Sequence, residues 1–510
     1  MRKKIIALSA VAALSVNAFA TDNSDITLQL ELLKKQIASL EKKMNKNTKK
    51  IKKVAKKVKR TGKKLNKVKA HDAGDNIKWD VDFRTTVDNI DYKKADGTHS
   101  KNHDLLSNRL LLNMKFKADE KVTFYGTLAY NKTFGSSTDT NPNYANFDWI
   151  TNETATTDST LRVKEAYWLY MNDTFFGTDV SWTASIGRRP STGGLGISYR
   201  EGDKPKSAIA STVNVEFDGA SFRWNLGNVT PLPGAWFKIC MGRGLTNAKP
   251  RFAMDGTDYS NNDMLTEDSD MIGLIAVPYD DGQYSLWTNY AQASHLIGYD
   301  MNDMMAFQMA AGAYQTNPNG TNLAEYMNAA NSMKFQDVGD ISYTTVMFKA
   351  DGIGSEINDF LDNTTFFTSY STSKTDPTSG KRMLGSPDSK TGNSIWVGVQ
   401  MPCPLTEDGR LGLEWNKGSK YWRSMTYAED TAIGSKIAAR GTATEVYWIK
   451  PLTPSLTFNA RYTYIDYDYT GSNGFFGDEG TPMTMDQAKA AGQNPVDTAS
   501  DIRASIRYRF

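Results

Sequence analysis

Ile502-Arg503-Ala504-Ser505-Ile506-Arg507-Tyr508-Arg509-Phe510 alternates apolar and polar residues without a fault. In a strand, successive side chains point to opposite faces. Ile502, Ala504, Ile506, Tyr508 and Phe510 therefore share one face, and Arg503, Ser505, Arg507 and Arg509 the other. A soluble sheet can alternate in the same way, but it rarely lines the reverse of an apolar face with three arginines. A strand that meets lipid on one side and a wet lumen on the other has this pattern.

The same alternation recurs upstream. From Ile77 onward, alternating segments are joined by two kinds of connection, one short and the other long and rich in Asn, Asp, Gly, Ser and Thr. The readings are 77–87, 106–117, 122–131, 161–171, 180–189, 212–227 (bulged at Asp218-Gly219), 235–243, 270–278, 284–294, 340–350, 362–373, 393–402, 409–417, 442–450, 455–469 and the closing segment. The fold expected is an all-β transmembrane antiparallel barrel of about 16 strands. Splitting 212–227 or adding a strand at 304–315 raises the count to 18. A barrel of this size is too wide for side chains to fill, so a water channel is expected.

Arg2, Lys3 and Lys4 precede an apolar run from Ile5 to Val16, and Ala18-Phe19-Ala20 has the small-x-small pattern. Residues 1–20 read as a secretory signal peptide and take no part in the fold. No other run reaches the roughly 18 apolar residues of a membrane helix. With only Cys240 and Cys403 present, no disulfide framework organises the chain, and spacing leaves open whether these two pair.

Charge divides the chain. Residues 21–70 carry 17 Lys and Arg against four acids, whereas 71–510 carry 40 against 53, so the total of +3 joins a basic module to an acidic one. From Ile26 the apolar spacing runs 4-3-4-3 through Leu30, Leu33, Ile37, Leu40, Met44, Ile51, Val54, Val58, Leu65 and Val68, which predicts an α-helical coiled coil. Asn47 is a polar member of its core seam, a place where asparagine fixes register and oligomer number. Residues 71–76 read as a linker, and the barrel follows at 77–510. Fifteen basic residues and no acid between 42 and 69 make a solvated surface or a site for an anionic partner.

The alternating C-terminal strand ending in Tyr508 and Phe510 resembles the signature of Gram-negative outer-membrane barrels, which implies recognition by the barrel assembly machinery. Over 77–510 the chain resembles trimeric general-diffusion or substrate-selective porins. Signal peptide, coiled coil and barrel together are similar to an uncharacterised group of Gram-negative outer-membrane proteins. The resemblance implies the cell outer membrane, with lipid and lipopolysaccharide as surroundings and the N-terminal segment in the periplasm. It also implies a homotrimer, consistent with the likeness of Asn47 to the polar layers of trimeric coiled coils. Peptidoglycan is the candidate partner of 42–69, and nucleic acid is in the wrong compartment.

In porins the loop after the fifth strand folds inward and sets the constriction. That loop here is 190–211, with Gly193, Gly194, Arg200, Glu201, Asp203 and Lys204. It is expected to face a basic wall of Arg84, Arg109, Lys115, Arg503 and Arg507, joined by Arg162 and Arg189. Each arginine could instead be tied up in an ion pair with a neighbouring strand. Selectivity between anions and cations is not fixed by the sequence. The function expected is passive diffusion of small hydrophilic solutes or ions; the alternative is a structural tether or adhesin.

Other constellations point to no chemistry. The acids Asp255, Asp258, Asp263, Glu267, Asp268 and Asp270 lack the spacing of a calcium loop. His99 and His103 lack companion ligands for zinc, and no histidine pairs with a persuasive serine nucleophile. Neither a metal, a cofactor nor an enzymatic activity is expected. Trp79, Trp182, Trp224, Trp415 and Trp448 are candidates for an interfacial girdle. Residues 295–339 either plug or cap the pore, and Met304 to Tyr314 is compatible with a helix.

Overall fold

The computed structural model describes residues 77–134, 161–189, 192–246, 268–333, 336–354, 357–426, 429, 431–472 and 480–510, with seven residues between Glu31 and Lys42. Those seven are helical. The remainder of the heptad pattern, Asn47 included, lies outside the described residues. The chain divides into two units, Met1–Asp75 and Asn76–Phe510.

The second unit is a closed antiparallel barrel of sixteen strands, each hydrogen-bonded to the next and the last to the first. In chain order they are β1 Lys78–Lys94, β2 His99–Lys117, β3 Val122–Thr133, β4 Arg162–Asn172, β5 Trp182–Arg189, β6 Phe217–Asn225, β7 Trp236–Leu245 and β8 Ser269–Asp280. Then follow β9 Tyr284–Gly298, β10 Gln336–Asp351, β11 Thr365–Pro377, β12 Thr391–Pro402, β13 Arg410–Gly418, β14 Gly441–Thr453, β15 Leu456–Tyr467 and β16 Val496–Arg509. No strand forms at 304–315. Closure leaves no unpaired edge, the condition for strands to cross a membrane.

Burial is inverted relative to a soluble protein. Along β1, Asp82, Arg84, Thr86 and Asp88 are buried while Phe83 and Val87 are exposed. Along β16, Arg503, Ser505 and Arg507 are buried while Ile502, Ile506 and Tyr508 are exposed. Apolar side chains gain nothing by facing water, so an exposed apolar belt around a polar interior marks a lipid-facing outer surface. The seam registers Phe83 with Tyr508 and Arg84 with Arg507, and Phe510 exchanges two backbone hydrogen bonds with Val81.

Short connections close one end of the barrel. The Asp119 carboxylate accepts from the N–H groups of Lys121 (2.6 Å) and Val122 (2.8 Å), and Asp281 accepts from Gln283 (2.9 Å) and Tyr284 (2.7 Å). These backbone donors hold both carboxyls below the usual range. At the other end, α2 Met301–Thr316 and α3 Gly320–Ser332 form a helical hairpin held by Tyr326 against Phe307 and Tyr314. Neither helix has a buried residue, so the hairpin is not packed into the lumen. A shorter helix precedes them, α1 Ile197–Glu201.

One sequence reading is corrected. The segment 212–227 is not one strand: β6 begins at Phe217, and Val213–Asn214 pairs in parallel with Met425–Thr426 in a separate two-stranded sheet. The reading failed because alternation shows an extended chain but not its partner. Cys240 and Cys403 are free, one on β7 and the other in the turn after β12.

Candidate channel constriction

Strand register sets the wall. Arg109, Arg84 and Arg507 lie in one row across β2, β1 and β16, and Arg461, Arg503 and Asp88 form a second row across β15, β16 and β1. Like charges directly opposite repel, and the interleaved acids offset this. Asp82 takes a two-pronged pair from Arg507, with Nε to Oδ1 at 2.7 Å, and lies 3.9 Å from Arg109. Arg503 donates to Asp88.

The connection after β5 folds into the lumen against this wall. Gly196 has φ 100°, and a Cβ there would sit 2.2 Å from the ring of Trp396, so only glycine allows the approach. We expect Gly196→Val to lower the thermal unfolding midpoint, at a cost of about 2 kcal/mol or more. Circular dichroism of the heated variant checks this, and the strand signal should persist at room temperature.

In α1, Arg200 is fully buried and its Nη1 lies 3.0 and 3.2 Å from the Glu445 carboxylate on β14. Glu201 approaches Arg84 (3.4 Å), Arg461 (3.2 Å) and Arg507 (3.6 Å). Asp203 approaches Arg507 (3.2 Å) and Arg509 (2.9 Å). The backbone is held as firmly: Gln400 donates to the Tyr199 carbonyl (2.8 Å) and Asn459 to that of Arg200 (2.9 Å). Tyr199 stacks on Phe367 at 5.7 Å, and burial pushes its hydroxyl up. Lys206 reaches Glu165 on β4 at 2.6 Å. Gly193 donates to Asn214 (3.0 Å), and Gly194 pairs with Lys206.

Between this loop and strands β1–β4 remains a cavity of about 320 Å³. Arg109, Lys164, Lys204, Lys206 and Arg507 supply its positive charges, and Asp82, Glu165, Glu201, Asp203 and Glu429 its negative ones. Such a space is wet and strongly polar, and its balance of charge comes from pairs rather than from a bare basic surface.

Other residues singled out in the sequence lie further off. Lys115 sits over the Tyr125 ring (5.3 Å), and Arg189 over Tyr167 (4.2 Å) with a hydrogen bond to Ser221 (3.3 Å). Arg162 opens β4 between the exposed Leu161 and Val163. The acids of 247–267 lie outside the described residues, whereas Asp268 and Asp270 pair with Arg243. His99 meets Asp91 and His103 meets Asn89. Of the candidate girdle, Trp79 and Trp415 are exposed, Trp182 and Trp224 pack edge-on against Phe175, and Trp448 meets Phe458.

Sequence reasoning missed the partners that hold the loop. Glu445 is approached by Arg200, Lys436 and Arg461; Lys436 also reaches Glu414 (2.6 Å), which accepts from Trp396 Nε1 (3.0 Å). Lys164 pairs with Glu216. Lys436 belongs to the connection after β13, which also enters the lumen. Glu429 there accepts from Thr426, Ser435 and the Lys436 N–H (3.0 Å), and burial pushes its carboxyl up. A signal was present: Ile433, Ile437, Ala438 and Ala439 are too apolar for a solvated loop.

Fold and lumen define a membrane-type β-barrel narrowed by inward-folded connections. Residues 99–510 match a family described as protein of unknown function (DUF3373), and the chain belongs to that family. No curated protein matches it. Among solved structures it is similar to OprB of Pseudomonas putida (12% identity, 87% of this chain and 96% of that one, TM-score 0.45). An anion-selective porin from Comamonas acidovorans also matches (11% identity, 85% and 99%, TM-score 0.44). So does the outer-membrane channel DcaP of Acinetobacter baumannii (12% identity, 85% and 97%, TM-score 0.41).

Proposed function

We propose that the protein is an outer-membrane porin, through which small hydrophilic solutes or ions diffuse downhill past a charged constriction without chemical change. The observation that carries this reading is the polar cavity between the 192–206 loop and the arginine row of β2, β1 and β16. A barrel serving only as an anchor has no use for a loop tied to its wall by ion pairs from Arg200, Glu201, Asp203 and Lys206 beside an unfilled polar space. Charged groups at a narrow point select solutes because the field there acts over a few ångströms in a low-dielectric surround.

Liposome swelling tests the reading. Proteoliposomes holding the full chain should swell in isotonic arabinose and more slowly in larger sugars; swelling no faster than that of empty liposomes would sink it.

On this reading the barrel sits in the outer membrane with its N-terminal segment in the periplasm, and the heptads of 26–68 assemble three copies. A second reading, that of a tether, draws on the fifteen basic residues of 42–69, a charge density suited to the carboxylates of peptidoglycan. Deleting 26–69 should then abolish co-sedimentation with purified peptidoglycan. Unchanged co-sedimentation would remove the tether and leave the channel standing.

A further inference from the structure

The lumen is asymmetric. On the β10–β13 side, the inward residues Thr345, Ser369, Ser371, Ser373, Thr375, Ser394 and Asn416 are small and polar, as a wet channel wall requires, yet each is at most 2% exposed. Two segments cover them. The chain from 209 to 215 contributes Ile209, Ala210, Val213 and Val215, and the connection after β13 contributes Met425 and Ile437, all packed into apolar clusters inside the barrel, with Trp422 fully buried beside them.

The cover is bonded to the wall and to itself. Thr212 and Ser211 meet Thr345 (3.3 Å) and Ser371 (3.0 Å); Arg423 N–H donates to Ser373 (3.1 Å), and Asn416 Nδ2 to the Lys436 carbonyl (3.0 Å). Met425 N–H donates to the Thr212 carbonyl (2.8 Å), joining the two segments through their parallel strand pair. Lys436 bridges Glu414 and Glu445, both fully buried. A Cβ at Gly392 on β12 would lie 2.2 Å from the Trp422 nitrogen, so the wall itself is shaped to receive this segment.

We propose that the described residues of the connection after β13, 419–426, 429 and 431–440, form a fixed partition which, with 209–215, seals the β10–β14 half of the lumen. Permeation is then confined to the path between the 192–206 loop and β1–β4, and the partition sets the size of solute admitted. Lys436 is the positioning residue of the partition, since its ammonium ties it to two strands. The inference rests on the channel reading and adds a second pore-defining segment to the loop after β5.

Paired cysteine probes test it in the full chain, with Cys240→Ser and Cys403→Ser as background. Asn113→Cys lines the open cavity, and Ser371→Cys lies on the covered wall. With a membrane-impermeant methanethiosulfonate, Asn113→Cys should react rapidly and change the conductance. Ser371→Cys should react at least a hundredfold more slowly and leave the conductance unchanged. A second variant replaces 421–438 with a short Gly-Ser turn and carries Glu414→Gln to avoid an unpaired charge. It should at least double the single-channel conductance and expose Ser371→Cys. Equal reaction rates at the two cysteines in the intact protein would overturn the partition. So would unchanged conductance in a shortened barrel that still shows heat-modifiable mobility. A parent protein that forms no channel would fail the porin reading, whereas the two reaction rates judge the partition either way.

Discussion

Reversing two arginines of the constriction row, Arg84→Glu with Arg109→Glu, is expected to shift ion selectivity toward cations by at least about tenfold. Arg109 lines the cavity, and Arg84 stands beside it in direct register on the adjacent strand, 3.4 Å from the cavity-lining Glu201. A unit charge acting on an ion roughly 8 Å away at an effective dielectric near 40 contributes about 1 kcal/mol. Four units of change then exceed the 1.4 kcal/mol of a tenfold ratio even after salt screening. The loop keeps its anchorage, because Glu201 retains Arg461 at 3.2 Å and Arg507 at 3.6 Å, and Asp203 retains Arg507 and Arg509. Reversal potentials in a KCl gradient give the ratio. If they do not move, these arginines do not border the conducting path.

Glu445→Ala is expected to have the largest effect on stability, a loss of about 3–5 kcal/mol. Glu445 is fully buried with Arg200 at 3.0 Å, Lys436 at 2.6 Å and Arg461 at 3.9 Å, and it accepts from Thr463 at 2.8 Å. Removing the carboxylate leaves three cations facing one another without water. Glu414 neutralises Lys436, and Glu201 reaches Arg200 Nε at 3.7 Å as well as Arg461, but the centre of the cluster is lost. The temperature at which the folded band converts to the unfolded band in gel electrophoresis should fall clearly. A transition within one degree of the parent would show that the cluster does not hold the loops.

The barrel was legible because its physical rule is local. A wall between lipid and water imposes period two, and Ile502 to Phe510 obeys it residue by residue. The strand ends were less visible. β2 starts at His99, where 99–104 is polar on both faces, and beyond Val87 the alternation of β1 reverses its sense, with the apolar Ile90 and Tyr92 on the inward face. Residues 212–215 misled the reading because an extended chain inside a lumen alternates like a spanning strand. At the constriction, the loop after β5 was named through the resemblance to porins, and parity put Arg84, Arg109, Arg503 and Arg507 on the inward face, where they are buried. Their partners could not be named: Glu445, Glu414 and Lys436 come together from β14, β13 and a connection, and only closure of the barrel fixes such distances.

These placements give each feature of the lumen a physical role. Arginine rows need interleaved acids to coexist, the loop acids complete that balance, and the space they leave lies on one side because apolar segments fill the other.

Planar-bilayer recording of the purified full-length protein in graded KCl tests the central claim most directly. The account predicts discrete, stable conductance steps whose size grows with salt and whose selectivity reports the Arg84–Arg109–Arg507 row. A folded, heat-modifiable barrel that inserts and never conducts would contradict it.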